Sequence, residues 1–484
     1  MPKDTAEMTP DTQTIETDFC VIGAGAGGVA LATTAAAFGQ RVVLIEKHKM
    51  GGEGLNYGSV PTNALLAAAQ RAQDIRTASS FGIAGDDPQI DHAAVNRYVA
   101  GVIGQLAPNM TVERFAGMGI RVISAAAKFL NPTTVVAGEY RISARRFVIA
   151  TGSTPVIPPI AGLADVPYFT NDTIFDNNTS IAHLIVIGGG ATGLELAQAH
   201  RRLGARVTVI DQDVALAGED GELAAVLLTD LAAEDIAFRE GARIKRISGT
   251  VGRIVVELEG DNGAELIEGT AVIVVAGRKP NVSGLGLDAA GIKASGGLIK
   301  VDGGLRTTNK RVYAIGDAAG GARYAHIAAA QADVVLRRSL FRLPAKLRDD
   351  VAPRVVFTEP ALASVGLSEA DAREKFGRVK VLRWPYHEID RAQIEKKTVG
   401  HLKVVTTSRG RIVGASIVGA NATEIIQVWS LAISQGLNIK AIAELIPPYP
   451  TFTEISKKAA IRYFATMPSN PFLRKVIALL AKLG

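Results

Sequence analysis

DFCVIGAGAGG, residues Asp18–Gly28, reads as an apolar strand that runs straight into a glycine turn. Small residues continue to Phe38 as a helix, and RVVLIE follows as a second strand ending at Glu46. The spacing gives each glycine a task. Gly23 permits the tight turn, Gly25 lets backbone approach a pyrophosphate, and Gly28 lets helix and strand pack closely. The helix start offers free N–H groups to phosphate, and Glu46 is placed to accept from an adenosine ribose.

The device recurs downstream. His183–Ile187 is apolar, Gly188–Gly193 reads GGGATG, the next helix carries Glu195, and RVTVI ends beside Asp211. Gly188, Gly190 and Gly193 repeat the earlier glycine spacing, so two such units imply two dinucleotides. Asp211 accepts from a ribose 2′-hydroxyl and repels a 2′-phosphate, which favours a dinucleotide without that phosphate. Shorter signals lie around them: RFVIATGS (Arg146–Ser153), AVIVVAGRKPN (Ala271–Asn281) and RVYAIGDAA (Arg311–Ala319). Asp317 in the last of these either holds a ribityl hydroxyl or caps a helix. From about Val351 the pattern changes to alternating strands around a turn at Ser408–Gly410, then a helix from Ala422 to Gln435. This is an α+β module after two α/β modules.

Composition narrows the chemistry. The chain has 484 residues, a net charge of +6 and one cysteine, Cys20. One cysteine excludes an internal disulfide, and no metal site is expected. The modest basicity is read as solubility charge plus anionic cofactors, with no nucleic-acid partner. Residues 1–17 are polar and read as a disordered lead-in without a signal-peptide core. No stretch reaches ~18 consecutive apolar residues, so a cytoplasmic chain without a spanning helix is expected.

From Asp18 to Tyr463 the motifs GAGAGG, GG-x-G-LN-x-G-S-x-P, ATGS, GGGATGLE, AGRKPN, AIGD and FTEPALASVG stand in an order that resembles the flavin-dependent pyridine nucleotide–disulfide oxidoreductases. The resemblance implies an α/β fold with two Rossmann-like dinucleotide-binding domains, for FAD and NAD, and a C-terminal α+β dimerisation domain. The expected FAD-binding segments are 18–157 and 284–350, the NAD-binding segment 158–283, and the interface domain 351–470. FAD contacts are expected from Gly23, Gly25, Gly28, Glu46, Gly51, Gly52, Ala127, Thr151, Gly152, Asp317 and Ala325. NAD contacts are expected from Gly188, Gly190, Gly193, Asp211 and Gly277. Members of this family are usually homodimers whose sites take residues from both subunits.

The chain departs from the family at its reactive centre. The two cysteine positions of the disulfide motif are Gly54 and Ser59, and the lysine that usually follows is Asn63. Near the C-terminus the proton-shuttling histidine is replaced by Tyr449, while Glu454 keeps its place; Pro447 stands where many members have a second histidine. Ala191 replaces a tyrosine lid found in some relatives, and Glu195 loses its usual lysine partner. Both sulfurs and their acid–base partner are gone together, which points to a small-molecule electron acceptor that is not a disulfide, with a quinone as the leading candidate. Ser59, Tyr449, Glu454 and Glu195 are the candidate catalytic residues, with Glu454 orienting the phenol. Hydride exchange between nicotinamide nucleotides and a flavin-binding subunit without turnover are the alternatives. Residues 471–484 read as a basic amphipathic helix, capped by Asn470, that offers peripheral membrane contact or packs on its own dimer.

Overall fold

The computed structural model describes residues 13–259 and 265–482. The chain divides into two compact units. One comprises residues 1–159, 167–180 and 272–347; the other comprises 160–166, 181–271 and 348–484.

The first unit is built on a seven-stranded sheet. Strand Gln13–Ile22 lies at its centre, parallel to Val42–Glu46 on one side and Tyr140–Ile149 on the other. The strand begins at Gln13, inside the expected lead-in, because Gln13–Thr17 continue the ladder against Tyr140–Ala144. Of those residues only Ile15 is apolar, so their pairing leaves no apolar run to read. Further in, the strand is apolar on both faces, as a parallel sheet covered on both sides requires. Phe19 and Val21 join the core beneath the glycine-turn helix, Ala26–Ala37. Cys20 and Ile22 enter the core on the opposite face. Gly27 allows that helix to lie against Ala325–Ser339: a Cβ there would sit 2.9 Å from the Ala328 carbonyl oxygen.

The second unit repeats the strand–turn–helix–strand order. His183–Ile187, Arg206–Ile210 and Ile236–Arg239 are parallel, and the helix Ala191–Arg202 follows the glycine turn. Three antiparallel strands, Ile244–Thr250, Arg253–Leu258 and Glu265–Gly269, extend it. The C-terminal part is a five-stranded antiparallel sheet, with Ala361–Gly366, Ile412–Gly419 and His401–Thr407 at its centre. The helix Ala422–Ser434 covers it and buries Trp429 completely. Residues 167–180 and 272–283, expected with the second nucleotide, fall in the first unit. There Arg278–Pro280 pair with Ser153–Pro155, and Ile273 pairs with Phe169.

Candidate functional site

In the first unit, the glycine turn and the end of the second strand open on a cavity of about 300 Å³. Gly23, Gly25, Glu46, Gly52, Ala127, Thr151 and Gly152 all line it. The three motif glycines are glycine for different reasons. Gly23 has φ +106°, a left-handed backbone that disfavours side chains. A Cβ on Gly28 would sit 1.9 Å from the Gly23 carbonyl oxygen. Gly25 is under neither constraint: its φ is −77°, and a Cβ there would meet nothing within 4 Å. Nothing among the described residues forbids a side chain at Gly25, so the space beside this helix start fits a group from outside the chain. Backbone N–H groups and an open helix N-terminus suit a diphosphate. Gly51 and Gly52 close the cradle at φ +86° and +63°, and a Cβ on Gly52 would lie 2.7 Å from the Gly25 Cα.

Glu46 is used twice by its own chain. One carboxylate oxygen accepts from the Ala24 N–H at 2.7 Å and the other from the His48 N–H at 2.9 Å. An ionised carboxylate offers about four acceptor positions, so capacity for a ribose remains. The same cavity contains a cluster not foreseen from the sequence. Arg278 donates to the Ser153 hydroxyl at 2.9 Å and lies 3.6 Å from Glu53 and 3.8 Å from Asp172. The Ser153 hydroxyl in turn donates to Asp317, so this acid is neither a helix cap nor free-standing. Burial raises the Glu53 carboxyl; Arg278 opposes that and Asp172 and Asp317 add to it. Its remaining surface faces the cavity itself. Asn281 and Thr151 exchange hydrogen bonds at 2.7 and 3.0 Å, fixing the adjoining turn. Ala325 begins its helix. Gly277 belongs to this unit rather than to the second nucleotide segment, and its carbonyl accepts from the Val156 N–H.

The altered centre lies at the start of two consecutive helices, Gly52–Asn56 and Ser59–Thr77. A Cβ on Gly54 would find only the Ala325 Cβ, at 3.9 Å. Ser59 is exposed at the first position of its helix. Asn63 turns back on that helix and donates to the Ser59 carbonyl at 2.9 Å. The lone thiol, Cys20, is completely buried in the central strand, and burial raises its pKa far above its ordinary value. A thiol held neutral in this way is inert.

In the second unit the turn repeats the first. Gly188 has φ +116°, and Gly190 has φ −75° with open space at its Cβ. Gly193 is buried in the helix behind it. Asp211 accepts from the Gly189 N–H at 2.6 Å and from the Asp213 N–H at 2.9 Å, the counterpart of Glu46. Along the same helix three polar side chains at i, i+3 and i+7 hold the segment Phe357–Pro360. Glu195 accepts from the Phe357 N–H at 2.9 Å. Gln198 accepts from the Glu359 N–H at 2.8 Å and donates to its carbonyl at 2.6 Å. Arg202 donates to that carbonyl at 3.0 Å and is paired with Glu234 at 2.6 Å. Burial pushes the Glu195 carboxyl up to about 7, against the Phe357 hydrogen bond. Its contact is backbone.

Tyr449 is 72% exposed and its hydroxyl donates to Asp390 at 2.8 Å. That hydrogen bond raises its pKa, which keeps the phenol protonated. Asp390, not Glu454, is therefore the partner of the phenol. Glu454 sits in the first turn of its helix and accepts from the Thr451 N–H at 3.3 Å, bracing the turn that carries Tyr449.

Residues 17–332 match the pyridine nucleotide-disulphide oxidoreductase model, and residues 352–460 match the dimerisation domain of that family. The chain belongs to the pyridine nucleotide-disulphide oxidoreductase family, whose cofactors are FAD and NAD(P)H. It is 31% identical over 451 residues to a mercuric reductase of Bacillus cereus, covering 92% of this chain and 71% of that protein. It is 32% identical over 460 residues to a dihydrolipoyl dehydrogenase of Geobacillus stearothermophilus, covering 92% and 96%. Among solved structures it is similar to LpdA from Mycobacterium tuberculosis, with a TM-score of 0.84, 26% identity and coverage of 92% and 99%. The dimerisation domain supports a homodimer. No helix among the described residues is long and apolar enough to cross a membrane.

Proposed function

We propose that this chain is an NADH-dependent FAD oxidoreductase that delivers two electrons to a non-disulfide acceptor, a quinone. The observation that carries this reading is the state of the reactive centre. Gly54 and Ser59 occupy both sulfur positions, and the only cysteine is sealed in a strand. The overall change balances as NADH, a proton and quinone giving NAD⁺ and quinol. FAD, when bound, supplies the two-electron relay between the two substrates.

The chain's own groups supply selection and orientation. Asp211 presents a carboxylate where a 2′-phosphate would be repelled. Gly54 leaves the acceptor face without a side chain. The Ser59 hydroxyl and the Tyr449 hydroxyl of the partner copy each donate to one quinone oxygen; Tyr449 does so by turning its one proton from Asp390, whose hydrogen bond keeps the phenol protonated until the quinone binds. Glu454 steadies the turn behind Tyr449, and Glu195 fixes Phe357–Pro360 behind the nicotinamide turn.

The test separates the half-reactions in a stopped-flow instrument without oxygen. NADH is expected to bleach the flavin faster than NADPH. A water-soluble quinone should restore its colour, and lipoamide should not. Tyr449→Phe is expected to slow the quinone step by about tenfold or more while leaving reduction by NADH unchanged. Lipoamide turnover comparable to quinone turnover would reject the reading. An unchanged Tyr449→Phe in both steps would remove Tyr449 from the site.

A further inference from the structure

The helix Pro471–Leu480 lies beyond the residues that match the family, which end at 460. Asn470 caps it, accepting from the Phe472 and Leu473 N–H groups, and Pro471 occupies the first turn where its missing N–H costs nothing. At 3.6 residues per turn, Phe472, Leu473, Val476, Ile477 and Leu480 share one face, flanked by Leu479. The helix packs against the turn Met467–Ser469 and leaves much of that face open: Phe472 is 73% exposed and Ile477 60%. Leu483, expected on the same face, lies outside the described residues.

Charge supplies the second observation. Glu454 is the last acidic residue in the sequence. After it come Lys457, Lys458, Arg462, Arg474, Lys475 and Lys482, and none of these six makes an ion pair among the described residues. Their sum equals the net charge of the entire chain, +6. Arg474 and Lys475 stand on the face opposite the apolar stripe, with Lys482 just past the helix end. A second copy of this segment would bring like charges together. An anionic surface with an apolar interior complements both features.

We propose that this C-terminal helix docks the protein on an anionic lipid bilayer. It lies in the interface with Phe472, Ile477 and Leu480 turned into the acyl boundary, and Arg474, Lys475 and Lys482 at the headgroups. The inference goes beyond the proposed acceptor and does not depend on it.

The test is co-sedimentation of the FAD-loaded full chain with vesicles, in the absence of any substrate. Binding is expected to vesicles of phosphatidylcholine with 30% phosphatidylglycerol (a chosen composition, roughly that of an anionic leaflet) and to be much weaker with phosphatidylcholine alone. At about 1 M salt, where the screening length falls to about 3 Å, binding should drop sharply. R474Q with K475Q should lower the partition coefficient by about 25-fold, roughly fivefold per cation. F472S with I477S should abolish binding while flavin content and NADH reduction stay at wild-type levels. Equal binding to neutral vesicles, or binding unchanged by either pair of substitutions, would overturn the proposal. So would loss of the dimer on gel filtration of F472S/I477S without loss of vesicle binding, which would make the helix a self-association element.

Discussion

Gly25→Asp is expected to yield a folded protein that no longer retains FAD. The backbone at Gly25, φ −77° and ψ −175°, is open to any residue, and a Cβ there meets no atom within 4 Å. Aspartate is moreover a good first residue for a helix, and changing it against glycine moves helix stability by only a few tenths of a kcal/mol. The apoprotein should therefore melt at the wild-type temperature or slightly above it. For the cofactor the sign reverses, because a carboxylate now faces the diphosphate. At about 4 Å and an effective dielectric near 20, that repulsion is about 4 kcal/mol, close to a thousandfold in affinity. Flavin absorbance after gel filtration reads the loss, and the thermal melt reads the fold. Gly28→Ala is the contrast, since its Cβ would strike the Gly23 carbonyl and damage the turn itself. Normal flavin content in Gly25→Asp would refute the cradle.

Lys403→Met is expected to destabilise the second unit by about 3–5 kcal/mol. Only 7% of the Lys403 side chain is exposed, and its ammonium lies 2.8 Å from Asp220, 3.0 Å from Glu222 and 3.1 Å from Glu369. Burial alone would lower its pKa, yet the three carboxylates raise it. Asp220 also caps the helix Gly221–Ala233, so this one cation joins the nucleotide segment to the antiparallel sheet. Methionine preserves the volume and leaves the carboxylates facing one another.

Glu222 is held at about 2, first by the Arg383 hydrogen bond and then by Lys403, well below its ordinary value near about 4.3. The folded state thus binds fewer protons than the unfolded one across that window. The stabilisation is full above it and is lost as pH falls toward 2. Removing Lys403 brings Glu222 closer to its ordinary value. The difference in urea midpoint between wild type and variant should therefore be largest near neutral pH and narrow below about pH 4. A difference that is small at neutral pH, or constant down to pH 3, would contradict the role given to this lysine.

What could be read from the sequence was what the chain dictates locally. Each glycine turn, its helix and the acid at the end of the following strand lie within a short span. The structure adds a use for those acids that spacing alone did not reveal. Glu46 and Asp211 each pin their own turn, through the Ala24 and Gly189 N–H groups. The missing sulfurs were legible by counting. The Arg278 cluster was not, because Glu53, Ser153, Asp172 and Asp317 come from separate segments that only the fold brings together. Glu195 and the FTEP segment were both visible as motifs. Gln198 and Arg202, one and two turns further along, were the signal that this helix face holds backbone. Asp390 lies 59 residues from Tyr449, and nothing in their spacing links them.

A titration with NADH under argon, followed by the flavin absorbance, addresses the loss of the disulfide most directly. FAD takes two electrons, and a redox disulfide beside it takes two more. With Gly54 and Ser59 in place of the sulfurs and Cys20 buried, one NADH per FAD should complete the reduction. A requirement for two NADH per FAD, with the first equivalent leaving the flavin oxidised, would show a second two-electron centre and contradict the absence of a redox disulfide.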